Sequence, residues 1–286
     1  MNDTDTSISN VIEYLEWVKE GKTEKVETDS VECALSFDIK KMYYRGQADI
    51  SWGLTPSVLR KNYDEYAILR KAERTFWRET SSFHSYLDKL TFFQHYGIFT
   101  RLLDVTFNPL VALYFACCDN DSKEGVVFRG YKEPGKDALA ELYAKYAFCI
   151  DSNSQDFVEQ VIRQVQEDTA NFIIYGYGLI RPIMIEQSIN NPHIEAQNGA
   201  FIIAPLLKEE SKEKYTKYQG DLRDTEFFLK GRAKVEPHNK TAILKELSEY
   251  GINGGSIFRD ITKKAETIML EEEWAIEDSK IDINST

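Results

Sequence analysis

The run from Phe92 to Ala116, FFQHYGIFTRLLDVTFNPLVALYFA, constrains the fold more than any other stretch of the chain. Asn108 and Pro109 mark a helix start. An Asn side chain accepts hydrogen bonds from free amides at an N-cap, and Pro suits the first helical position because its missing donor would be unpaired there. The residues that follow, Leu110, Val111, Leu113, Tyr114 and Phe115, cover nearly the whole circumference of that helix. A helix that is apolar all round is buried in a core. The polar residues ahead of it, among them Gln94, His95, Thr100, Arg101, Asp104 and Thr106, are therefore expected inside the fold at a helix N-terminus. There, free N–H groups and the helix dipole favour an anion.

Length alone, 286 residues, allows one large or two small domains; the reading adopted is one domain over residues 1–286. An apolar fraction of 42% supports an ordinary core, and no apolar run is long enough to span a bilayer. The N-terminus MNDTDTSISN lacks the basic and apolar regions of a secretory signal. The cysteines, Cys33, Cys117, Cys118 and Cys149, form no CxxC pair, which suits core thiols of a reducing cytoplasm and argues against structural zinc. A cytoplasmic protein without membrane contact is expected. The net charge of −12 opposes long-range attraction to nucleic acid but leaves room for a local basic groove. Lys40, Lys41, Arg45, Arg60 and Arg101 are its candidate cations, enough for one phosphate-bearing ligand.

Taken in order, the spacing predicts a helix over Ser7–Glu20 stopped by Gly21, and a strand from Met42 to Arg45 followed by a bend or close approach at Gly46. A short strand and turn around Pro56 follow, then one or two amphipathic helices between Tyr63 and Leu90. Gly125 to Tyr131 and Phe201 to Ala204 have strand composition. The segment 137–172 reads as a helical insertion or lid interrupted at Asp151–Asp156. Leu206 to Tyr218 reads as a charged surface helix, Phe227 to Val235 as a strand, Asn239 as a helix cap and Ile261 to Ala275 as a last amphipathic helix. YGYG at Tyr175–Gly178 is a hinged loop or a stacking surface. No phosphate-cradling GxxxxGK[ST], nucleophile elbow or metal-ligand spacing is present, which excludes the commonest kinase, nucleotidase and hydrolase signatures.

The run QHYGIFTRLLDVTFNPLVALYFA, with YYRGQ at Tyr43–Gln47 and WGLTPSVLR at Trp52–Arg60 before it, resembles the FRG domain, named for its Phe/Tyr-Arg-Gly signature. The likeness continues through QNGAF at Gln197–Phe201, KTAILKELSEYGI and SIFRDI, so that it covers about residues 40–265. Members usually carry an Arg four residues before this Gln, where this chain has His193, so no Arg contact is carried over there. More distantly, the order of elements resembles the ADP-ribosyltransferases, especially the toxin-like class with an Arg on its first strand. That resemblance implies an α+β fold with a small, split, mostly antiparallel sheet surrounded by helices.

The resemblance further implies NAD as substrate, a macromolecular acceptor with RNA ahead of protein, an antitoxin as possible protein partner, and a toxin of a bacterial toxin–antitoxin or phage-defence system. By it, Arg45, Thr106 and Gln197 are the catalytic candidates. Arg45 grips the phosphates, through its planar fork, or the adenosine side, Thr106 positions ribose and supports Arg45, and Gln197, or the carboxylate of Glu195, meets the ribose hydroxyls. Gly46, Gln47, His95, Tyr96, Arg101, Asp104 and Asn108 complete the expected NAD site. The residues themselves leave alternatives open. Arg45 could instead pair with Asp104 inside the fold, as could Arg101, and His95 could be a structural ring. The same cleft could also serve a nucleotide-sensing or protein-interaction module that carries out no chemistry.

Overall fold

The computed structural model describes residues 5–23, 41–61, 63–119, 122–131, 137–168, 180–186, 197–211, 214–224, 228, 231–258 and 274. Its strands in chain order are β1 (Thr6–Ile8), β2 (Met42–Gln47), β3 (Leu102–Thr106), β4 (Gly125–Tyr131), β5 (Ile183–Ile185), β6 (Gly199–Ile203), β7 (Leu207–Ser211), β8 (Lys214–Lys217) and β9 (Ala233–Val235). The helices are α1 (Val11–Thr23), α2 (Glu65–Thr75), α3 (Trp77–Thr80), α4 (Tyr86–His95), α5 (Pro109–Cys117), α6 (Asp137–Cys149), α7 (Phe157–Asp168), α8 (Lys240–Glu249) and α9 (Gly254–Phe258). Seven strands form one sheet in the order β1-β9-β4-β2-β3-β6-β5, and β7 and β8 form a separate hairpin. Within the sheet β1 pairs with β9 in parallel and the other pairs are antiparallel. The expected strands at Met42, Gly125 and Phe201 all lie in its interior.

Period-2 alternation divides the sheet's two faces between different cores. On one face, Tyr44 and Val127 pack with α1, α5 and α8, while Leu102, Phe201, Ile203 and Ile183 pack with α2, α4, α6 and α7. On the other face Tyr43, Leu103, Val105, Phe128 and Ile202 are covered by Leu54, Tyr218, Leu222 and Phe228. The segment expected as an insertion or lid supplies α6 and α7. Tyr143, Ala144, Ala147 and Phe148 of α6 are buried in the largest apolar cluster, so these helices wall the core.

Helix α5 begins where expected. The Asn108 side chain accepts from Leu110 N at 3.0 Å, and Pro109 occupies the first turn. It buries Val111, Ala112, Leu113, Ala116 and Cys117 against the sheet. Two glycines let its backbone come this close: a Cβ at Gly46 would sit 1.8 Å from Ala112 O, and one at Gly125 would sit 2.1 Å from Ala116 O. The close approach expected of a ligand at Gly46 is thus made by a helix instead. Burial pushes the Cys117 thiol up to about 12, leaving it a small core hydrophobe.

Several sequence expectations change. The first helix starts at Val11 because Asn10 caps it: Asn10 Oδ1 accepts from Glu13 N at 2.9 Å and Glu13 accepts from Ser9 N at 2.8 Å. Residues 6–8 are instead the edge strand β1. The helix also runs through Gly21, which lies against the Arg129 guanidinium where a Cβ would be 2.4 Å from Nη1. Around Pro56 there is a 3-10 turn, Ser57–Leu59, in place of a strand. The region 63–90 holds α2, α3 and the first half of α4, broken at Phe76 and again ahead of Ser85, whose hydroxyl caps α4.

Leu206–Tyr218 is not a helix but the β7–β8 hairpin. Its apolar residues sit at the two ends, Leu206 and Leu207 against Tyr215 and Tyr218, with no stripe between for a helix to bury. Of the Phe227–Val235 strand the structure shows β9 alone, with Phe228 buried outside it. Asn239 precedes α8 in a helical backbone conformation and makes no side-chain cap. The expected YGYG loop, Glu195, His193 and Lys40 lie outside the described residues, as does the helix over 261–275 apart from Trp274. No described helix is long and apolar enough to cross a membrane.

The α5 contact predicts that Gly46→Ala costs about 3 kcal/mol or more, since the obstructing atom is backbone and cannot rotate away. Urea denaturation measures this, and a loss under about 1 kcal/mol would contradict it. A second expectation concerns pH. Arg232 donates to both carboxylate oxygens of Asp5 at 2.9 and 2.6 Å and holds its carboxyl down at about 2, against an ordinary value of 3.8. Because the folded value is depressed, the pair's contribution is present above pH ~4 and is lost as pH falls through 2. Asp5→Asn should therefore cost about 1 kcal/mol at pH 7 and almost nothing near pH 2 in denaturation midpoints.

Candidate functional site

The sheet parts between β2 and β3. Strand β2 registers with β4 at six residues and β3 with β6 at five, yet β2 and β3 register only at Tyr44 and Thr106. Arg45 stands where the ladder ends. Its Nη1 donates to Asp104 O at 2.6 Å, a side-chain bond standing in for the missing backbone one. Its Nε is buried with no hydrogen-bond partner among the described residues. Burial lowers its pKa to about 10, Asp104 opposes that shift, and Arg60 adds to it. The guanidinium thus remains charged at neutral pH, while its only bonded partner among the described residues is a carbonyl.

A cleft of about 260 Å³ opens at this gap, lined by Arg45, Ser57, Arg60, Gln94, Asp104 and Phe99 with the backbone of Gly97 and Ile98. A second cation, Arg60, is held by its Nε, which donates to Thr55 O at 2.9 Å. Its remaining guanidinium nitrogens have no partner among the described residues. The far wall is built from a chain of oriented bonds. Leu102 N donates to Thr100 Oγ1 at 3.1 Å, the Thr100 hydroxyl donates to Gln94 Oε1 at 2.8 Å, and Gln94 Nε2 donates to Asp104 Oδ2 at 3.1 Å. This chain fixes which way the Gln94 amide and the Asp104 carboxylate point. Two guanidiniums against one carboxylate leave the cleft net positive, in a chain that is acidic as a whole.

The other expected residues divide among different places. Thr106, Asn108 and Gln197 meet at the far end of β3, where Thr106 Oγ1 donates to Gln197 O at 2.6 Å and accepts from Asn108 N at 3.0 Å. The Thr106 hydroxyl is therefore occupied in tying three segments together and gives Arg45 no support. The same bonds take up much of the helix N-terminus expected to hold an anion: Thr106 takes Asn108 N, Asn108 takes Leu110 N, and Pro109 has no donor. Gln197 itself sits in the turn entering β6, followed by Asn198 at a positive φ of 46°.

Arg101 is buried and committed elsewhere. It forms a two-pronged pair with Glu65, Nε to Oε1 at 3.0 Å and Nη2 to Oε2, and its Nη1 donates to Ala204 O and Pro205 O. Neither it nor Arg45 pairs with the Asp104 carboxylate. Gly46 faces α5 and not the cleft. Gln47 is buried with Nε2 donating to Gly53 O at 3.2 Å. His95 and Tyr96 are exposed at the end of α4, the His95 ring edge-on to Tyr96, and neither lines the cleft. Ser57 and Phe99 also line it and were absent from the expected site, while Arg60 was expected only as a cation of a basic groove and Gln94 only among the polar residues ahead of the helix. Their signal was membership in the same signature runs, WGLTPSVLR and QHYGIFTR, which converge only in the folded chain.

Residues 40–125 match the family model of the FRG domain. That span carries YYRGQ, WGLTPSVLR and QHYGIFTRLLDVTFNPLVALYFA, and hence every residue lining the cleft; it is shorter than the expected 40–265. No curated protein and no solved structure matches the chain.

The Arg101 environment predicts that Glu65→Ala, which strands a buried guanidinium, costs about 3–5 kcal/mol. Thermal unfolding would register it, whereas Glu73→Ala, which removes two partly exposed pairs, should cost about 1 kcal/mol or less.

Proposed function

We propose that the chain is an NAD-dependent mono-ADP-ribosyltransferase, acting as a cytoplasmic toxin of a bacterial toxin–antitoxin or phage-defence system, and that the cleft between β2 and β3 holds the phosphates of NAD. One observation carries this: the enclosed Arg45 guanidinium, with a buried Nε that has no partner among the described residues and a second cation beside it, in a cleft whose lining offers one carboxylate, Asp104, for the two. A buried cation without a counter-charge costs folding free energy, and an anionic ligand offsets that cost. A diphosphate suits two guanidinium forks. Support also comes from the FRG match over the same residues and from the sheet that parts beside an Arg on an interior strand, as the distant resemblance to transferases implies.

NAD, when bound, supplies a nicotinamide–ribose bond whose cleavage builds positive charge on the ribose. At about 260 Å³ the cleft takes the diphosphate end of a dinucleotide and not the whole of it. In this reading Arg45 and Arg60 hold the phosphates. Gln94 and Asp104, oriented by the Thr100 chain, meet a ribose, and Thr106 holds the Gln197 turn against the far end of β3. The acceptor is a macromolecule, RNA ahead of protein. A second reading, nucleotide sensing without turnover, is favoured by one observation: among the described residues Asp104 is the only acid lining the cleft, and its carboxylate is already held by Gln94.

The test is release of nicotinamide from NAD by the purified chain, followed chromatographically. Arg45→Lys keeps the charge but removes the fork, and should slow release by about 100-fold or more while the unfolding temperature stays near that of the parent chain. A folded Arg45→Lys variant with undiminished release would remove the proposed role of Arg45. NAD binding without release would select the sensing reading.

A further inference from the structure

Exposed cations and aromatic rings form a strip along α2 and α3, with Glu73 and Glu79 among them, and Phe76 between the two helices joins it to Tyr96 ahead of the cleft. Lys71, Arg74 and Arg78 are exposed on it and have no ion-pair partner among the described residues, in a chain whose net charge is −12. Trp77 and Tyr96 are each 60% exposed and Phe99 is 43% exposed. They form a path. The Arg78 guanidinium lies 5.6 Å from the Trp77 ring centroid. Trp77 follows Phe76, on whose ring Tyr96 stacks at 6.4 Å, and the next residue after Tyr96, Gly97, lines the cleft together with Phe99.

We propose that this strip is the docking track of a single-stranded RNA acceptor, with bases stacked on Trp77 and Tyr96 and phosphates met by Lys71, Arg74 and Arg78. The proposal rests on the preceding reading, in which the cleft holds the donor nucleotide. Flat rings left half in water, on a surface that also carries exposed cations, match the chemistry of a strand whose base faces are open, since every base has a π-face and every linkage a charge. A duplex hides those faces, and RNA commonly presents them in loops and single strands. Because the rest of the chain is acidic, attraction is local to the strip and falls steeply with salt. Tyr96 is then a contact for the acceptor beside the cleft, a role that its exposure outside the cleft suits.

Fluorescence anisotropy of a fluorescein-labelled 12-nucleotide oligouridine with the full chain, in the absence of NAD, tests this directly. Trp77→Ala and Tyr96→Ala should each weaken binding about tenfold. Replacing Lys71, Arg74 and Arg78 together by Gln should lower the slope of log affinity against log salt by about 2. All five side chains are exposed, so urea midpoints should be unchanged. Absence of oligouridine binding at low salt, equal affinity for a duplex RNA of the same length, or aromatic variants that bind like the parent chain would each overturn the proposal. So would sedimentation showing that Trp77 drives self-association while RNA is ignored. The two readings fail separately: loss of nicotinamide release with ring-dependent oligouridine binding intact removes only the transferase, and release without RNA binding removes only the track.

Discussion

The backbone of α5 lies directly on β2 and β4, and much of the architecture follows from that contact. Ordinary helix–sheet packing is separated by side chains; here Gly46 and Gly125 remove them, so that carbonyls of Ala112 and Ala116 sit where a Cβ would be. The close approach fixes the height of β2 relative to the helix and turns Tyr44 into the core beneath α5. By strand alternation it also turns Arg45 to the opposite face, beside Phe128, which pairs with it across the ladder. A cation is thereby held at the sheet's interior by the same packing that excludes it from the helix side.

Two arginines of the signature runs meet opposite fates, and the contrast separates structure from site. Arg101 reaches Glu65, a carboxylate brought from another helix, and two carbonyls beyond it. Its charge is neutralised and its donors are used, as buried charges in stable folds usually are. Among the described residues Arg45 finds only the carbonyl of Asp104, with Arg60 as a like-charged neighbour. The first arrangement has nothing left to offer a ligand, whereas the second has donors and charge in excess. The occupation of much of the α5 N-terminus by Thr106 and Asn108 moves the place for an anion from the helix dipole to this guanidinium.

The cleft is rigid on one side and open on the other. The Leu102–Thr100–Gln94–Asp104 bond chain sets the wall supplied by α4 and β3, while Arg60 is tethered through a single nitrogen. Preorganised donors of the first kind cost no reorganisation when a ligand arrives, and a partly free cation of the second kind adjusts to where the charge falls.

Much was legible in the sequence where local chemistry decides it. Asn108 and Pro109 set a helix start, an apolar circumference set its burial, and the composition of Gly125–Tyr131 and Phe201–Ala204 placed two strands, because caps, propensity and periodicity act within a few residues. The same local reasoning failed for Leu206–Tyr218, where charge suggested a helix and the apolar ends needed a hairpin to reach the core, and for Gly21, whose role is set by Arg129 more than a hundred positions away. The grouping of Arg45, Thr106 and Gln197 into one site came from the distant resemblance and not from local chemistry. Tertiary structure decided instead that Arg45 joins Arg60 and Gln94, that Thr106 ties a turn, and that Arg101 belongs to Glu65. Partner choice for a charge depends on which distant groups share its low-dielectric surroundings, and that is fixed only when the strands part and the helices pack.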